Sequence, residues 1–174
     1  MNPSHQRPSS CHGCSNAHHG LWLGLLLITL WVCLGACAPK HTSYSDFCDL
    51  PSEGWPCKSP IVFTPTYGDS AIAYNIKLAV RYTTLYRYKD LNLVADFIAS
   101  DSTVQRRRVH FEISDDYGNW RGGGFGALYQ CSTTIATGIK PTQASRVVVW
   151  QAMKGCKSVL GIANMGIIVS PQHH

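Results

Sequence analysis

The chain has 174 residues, with 15 Lys and Arg against 10 Asp and Glu and a formal net charge of +5. That length is one domain's worth, and the basic excess suits an acidic partner or a membrane surface while being too small and scattered to argue for one. Eight cysteines are many for a cytosolic protein, which points to an oxidising compartment.

The first element is the uncharged run from Leu21 to Leu34. It holds 14 residues, short of the roughly 20 that a membrane-spanning helix needs. With Gly35, Ala36 and Cys37 it resembles a bacterial lipoprotein signal: small residues before the cut, then the cysteine that takes the lipid. On this reading residues 1–36 are a signal peptide, cleavage falls between Ala36 and Cys37, and Cys37 is the acylated first residue. The leader departs from the pattern in carrying Arg7 as its only strong positive charge. An uncleaved signal anchor is the alternative, and both place the domain outside the cytoplasm.

Residues 37–59 read as a lipid tether and lead-in segment. Pro39, Pro51 and Pro56 stand among Ser, Thr and Asp with no sustained periodicity. Trp55, between Gly54 and Pro56, is the first expected anchor against the body.

Residues 60–174 read as strand after strand. From Ile72 to Tyr82 the residues Ile72, Tyr74, Ile76, Leu78, Val80 and Tyr82 alternate with Ala73, Asn75, Lys77, Ala79 and Arg81, the period-two signature of a half-buried strand. Leu91, Leu93, Ala95 and Phe97 repeat the pattern, as do Val109, Phe111 and Ile113 opposite Arg108, His110 and Glu112. Ile61–Phe63, Leu128–Cys131, Val147–Val149 and Leu160–Val169 complete the expected set. Asp115–Asn119 and Gly138–Pro141 read as turns, and Arg121–Gly126 as a flexible loop. No stretch shows a helical apolar stripe. Six to eight strands without intervening helices predict an all-β fold, an antiparallel β-sandwich.

With the leader and Cys37 set aside, Cys48, Cys57, Cys131 and Cys156 remain as candidate disulfide cysteines. Of the three possible pairings, Cys48–Cys57 with Cys131–Cys156 is the simplest. Cys11 and Cys14 with His18 and His19 mimic a zinc site, but they lie in the leader.

One combination is specific in its order. A signal ending in Cys37 is followed by Trp55, Arg81-Tyr82 with Tyr86 and Tyr88, Leu91-Asn92-Leu93, Gly118-Asn119-Trp120, the glycines of 122–126, Gln151–Lys154 and Leu160–Val169. In this order the chain resembles the gliding-motility lipoprotein H family of Bacteroidota over residues from about 47 to 170. The resemblance implies a small β-rich lipoprotein of the cell envelope, linked to gliding and to type IX protein secretion. It implies no enzymatic activity and no cofactor.

Other chemistry is weighed residue by residue. His110 reads as a polar-face strand residue, without the nucleophile elbow of an acyl-transfer site. Asp115 and Asp116, adjacent in a turn, read as turn formers rather than as glycosidase carboxylates or calcium ligands. The glycines of 122–126 lack the Lys-Ser/Thr of a phosphate-binding loop, which argues against a nucleotide. Arg106-Arg107-Arg108 reads as a solvated strand end, and nucleic acid is disfavoured by compartment. Tyr82, Tyr86, Tyr88 and Trp120 form the candidate interaction surface, because such rings offer large contact area near strand ends.

The expectation is a lipid-anchored protein of the cell membrane or outer membrane, facing the periplasm or the surface. It acts by protein–protein interaction with envelope motility and secretion proteins, with no catalytic residue, metal, cofactor, nucleotide or nucleic acid. The alternative is a carbohydrate-binding surface lipoprotein, which requires a flat row of exposed rings.

Overall fold

The computed structural model describes residues 43–172, so the signal peptide, the Ala36–Cys37 bond and Cys37 lie outside the described residues. The strands are β1 (Tyr44–Asp49), β2 (Trp55–Pro56), β3 (Ile61–Phe63), β4 (Tyr74–Thr83), β5 (Asp90–Ile98) and β6 (Val104–Glu112). They continue with β7 (Gly123–Phe125), β8 (Leu128–Ile139), β9 (Arg146–Gln151), β10 (Ser158–Val159) and β11 (Ile162–Pro171). A single 3-10 turn, Pro141–Gln143, interrupts them, and there is no α-helix among the described residues. One sheet has the order β1-β11-β4-β8-β7, a second β3-β9-β5-β6, and β2 pairs with β10 in a small ribbon. The pairings are antiparallel, giving the expected all-β sandwich.

Alternation builds the core. On β4 the side chains of Tyr74, Ile76, Leu78, Val80 and Tyr82 turn inward and are at most 2% exposed. They share one buried cluster with Leu91, Leu93 and Phe97 of β5 and Val147 and Val149 of β9. Each large apolar side chain so buried contributes about 1.5–3 kcal/mol. Trp55 fills the space beside the β2–β10 ribbon at 1% exposure, its indole N–H donating to the Ser59 carbonyl at 2.7 Å.

The registers define two poles. Tyr44 pairs with Val169, while Tyr74 pairs with Pro171 and Ile139, so the described chain enters at the pole where β4 begins. Ser100 N donates to Thr142 O at 2.8 Å and brings the Ile98 end of β5 to that same pole. The opposite pole gathers the β4–β5 connection (84–89), the β6–β7 connection (113–122) and the β9–β10 connection (152–157).

Four local features differ from the sequence reading. β1 lies inside the segment read as a tether, as an edge strand whose Tyr44 and Phe47 are half-buried at a spacing of three, which hides any alternation. Phe47 lies flat across Gly166 of β11, where a Cβ would meet the ring at 2.4 Å. The glycine loop contains a short edge strand, β7, hydrogen-bonded to β8. β8 runs on to Ile139 through the polar stretch Ser132-Thr133-Thr134, which gives no apolar signal. Finally, Arg106–Arg108 sit in mid-strand rather than at a solvated end. Arg106 is held by its cross-strand partner Asp96, and Arg107 reaches the Ile135 carbonyl of the other sheet at 2.9 Å.

Candidate functional site

The four rings expected to form an interaction surface meet at the pole opposite chain entry. They do not form a surface together. Tyr82 is 0% and Tyr86 2% exposed, so both belong to the core, whereas Trp120 is half-buried and Tyr88 is 44% exposed. Tyr82 stacks on Tyr129 at 5.8 Å and tilts against Trp120 at 5.7 Å; Tyr86 meets Tyr88 edge-on at 5.6 Å. The Tyr82 hydroxyl lies on the carbonyls of Ile113 (3.3 Å) and Arg121, and the Tyr86 hydroxyl donates to Asp90 O at 2.7 Å. Burial pushes the Tyr82 phenol up to about 12 and raises that of Tyr86 as well. These rings seal one end of the sandwich. Their mutual tilts do not make the flat platform that sugar stacking needs.

A concave feature lies beside this seal, on the outer face of the four-stranded sheet. It is an open groove of about 1090 Å³. Four elements build it: the β4–β5 connection, β5, β6 and the β9–β10 connection. The floor is mildly apolar, from Val94 and Met153, and Asn92 N donates to Met153 Sδ at 3.3 Å. Arg87, Lys89, Arg108 and Lys154 line it as cations, and Asp90 as its one carboxylate. His110 sits among them, its Nδ1 3.1 Å from Asn92 Oδ1 and its Nε2 3.4 Å from Asp90 Oδ1. Lys89 is paired with Asp116, which holds its ammonium above the ordinary value. Arg87, Arg108 and Lys154 form no ion pair among the described residues.

Only part of this groove was readable in the sequence. The polar faces of β5 and β6 carry Asn92, Arg108 and His110 at period two, and that signal is plain. Arg87, Lys89 and Lys154 come from connections far apart in the chain, and only the β5-β6-β9 pairing unites them.

The remaining candidates fall elsewhere. The four cysteines are free thiols, so neither expected disulfide is formed in the structure. Cys48 stands on β1 opposite Met165, whereas Cys57 follows the β2–β10 ribbon, with its N–H on Lys157 O at 2.9 Å. Cys131 is half-buried on β8 opposite Val80, and burial pushes its thiol up to about 11. The Cys156 thiol donates to Ser158 O at 2.9 Å. Asp115 is a turn former: its carboxylate accepts from Asn119 Nδ2 (2.9 Å), Asn119 N (2.8 Å) and Tyr117 N (2.9 Å), which hold it below the usual range.

Comparison with known proteins separates family from fold. No curated protein sequence matches the chain. Among solved structures, the tobacco streak virus coat protein is similar at 12% identity, covering 80% of this chain and 93% of that one, with a TM-score of 0.32. The subviral particle of infectious bursal disease virus VP2 is similar at 14% identity, covering 78% of this chain and 33% of that one, with a TM-score of 0.35. Likenesses this weak carry no inference. The profile of the GldH lipoprotein family, by contrast, matches residues 42–169, essentially the whole described sandwich. The chain is therefore a member of the GldH lipoprotein family, a family of gliding-motility-associated lipoproteins, and a lipoprotein is membrane-associated.

Proposed function

We propose that this protein is a lipid-anchored, non-enzymatic part of the gliding-motility and type IX secretion apparatus, working by protein–protein contact. The observation that supports it is the family match over residues 42–169, which spans the sandwich and its groove. Anchoring is assigned to Cys37, whose acyl chains bind a bilayer at about 0.8 kcal/mol per buried CH₂. No helix of the described residues is long and apolar enough to cross a membrane.

The carbohydrate-binding alternative loses its support at the aromatic pole. Tyr82 and Tyr86 are closed to any ligand, and the 67° angle between Tyr86 and Tyr88 breaks a common plane. The test is affinity capture of the tagged full-length lipoprotein from cross-linked membranes, read by mass spectrometry. Enrichment of motility or type IX components is the expected result. Recovery of glycan-uptake proteins alone overturns the proposal.

A further inference from the structure

We infer that the groove of the four-stranded sheet is the docking site for an acidic, extended polypeptide segment of a protein partner. The inference rests on the interaction role proposed above and names the surface and chemistry that would serve it.

Charge complementarity carries the choice of occupant. Arg87, Lys89, Arg108 and Lys154 face one carboxylate in the groove, Asp90, and that carboxylate already has His110 beside it. Three of the four cations have no ion-pair partner among the described residues. They stand on three separate segments rather than converging on one point. Such spacing matches carboxylates repeated along a chain better than a single phosphate. The floor adds a second match: Val94 and Met153 accept apolar side chains, and methionine adapts its shape to its occupant. An extended segment with alternate acidic and apolar residues presents both kinds of group at once.

The poles argue against the anchoring bilayer as occupant. The described chain enters at Tyr44, whereas the β4–β5 and β9–β10 connections that line the groove lie at the other end of the strands. β4 has 10 residues, a span of about 33 Å at 3.3 Å per residue. The groove therefore lies towards the pole away from the point where the described chain enters, and a concave site favours a chain over a flat membrane.

The experiment uses detergent-solubilised full-length protein and a fluorescent peptide of alternating Glu and Val, followed by anisotropy. Binding is expected, weakening as salt rises because exposed charges are screened within about 10 Å at 0.1 M. The double variant Arg87→Gln/Arg108→Gln should lose about tenfold in affinity, and Lys77→Gln, on the other sheet, should lose none. Melting temperatures within error of wild type exclude a folding defect; should the double variant unfold, Lys154→Gln serves in its place. Equal binding by wild type and groove variants overturns the inference. So does groove-dependent binding of phosphatidylglycerol vesicles with no binding of the peptide. A photo-crosslinker at Asn92 in cells separates this inference from the functional proposal. Capture of an acidic segment outside the motility apparatus retains the groove and sinks the proposed function, whereas loss of peptide binding with intact affinity capture does the reverse.

Discussion

A methyl group at position 161 would land 2.2 Å from the backbone nitrogen of Tyr86. Gly161 also holds φ of +84°, a left-handed conformation that side chains resist by about 1–2 kcal/mol. The glycine lets the β4–β5 connection press down on the turn between β10 and β11, with Thr83 N donating to Gly161 O at 2.8 Å. Gly161→Ala is expected to destabilise the fold by about 2–4 kcal/mol, strain and overpacking together, as read by urea denaturation. Asp96 is a second decisive residue. It faces outward on β5 yet is only 8% exposed, because Arg106 grips its carboxylate through Nε and Nη2, both at 2.7 Å. This partner holds the Asp96 carboxyl below the ordinary carboxylate value. A depressed folded value means stability that is complete above the unfolded value of about 3.9 and is lost as pH falls through the folded one. Wild type should therefore be more stable than Asp96→Asn at neutral pH, and denaturation at a series of acid pH values should show the difference closing.

Among the elements, β4 lies between β11 and β8, its register with each shifted at one end, and Tyr82 near its end is where chemistry can report on packing. Its phenol stands at about 12, raised chiefly by burial, against about 10 in an unfolded chain. A raised folded value gives stability that is complete below pH of about 10 and lost as pH rises towards 12. Absorbance titration of tyrosinate should show that Tyr82 ionises with alkaline unfolding, and Tyr82→Phe should remove part of the high-pH instability. β4 and β5 were legible in the sequence because each buries one face and wets the other, which writes period two directly into the residues. β1 was not, since an edge strand with two half-buried side chains leaves no such trace. The second half of β8 escaped for a related reason: threonine and serine occupy positions that pairing with β4, not apolar burial, makes into strand. At the aromatic pole, the burial of Tyr82 follows the alternation of β4, whereas that of Tyr86, in a connection, leaves no trace in the sequence. Residues in connections count as exposed by default, and nothing in the local sequence announces that Gly161 lets one of them sink.

At the scale of the molecule, the described chain enters at one pole of the sandwich and the groove lies towards the other. Cys37→Ser is expected to move the protein from the membrane to the soluble fraction and to abolish incorporation of an alkynyl fatty acid, measured by fractionation and in-gel fluorescence. Retention in the membrane with no label would indicate the uncleaved anchor instead. The strand nearest the attachment has a mechanical meaning as well. β1 runs away from the chain's point of entry, antiparallel to β11, through six paired residues from Tyr44 to Asp49. Its hydrogen bonds lie across that direction. Tension between an anchored N-terminal side and a partner gripping the far end would pull β1 along its own length, so the rungs share the load and must slip together instead of peeling singly. Under the proposed anchoring, this geometry would make the domain hard to tug apart.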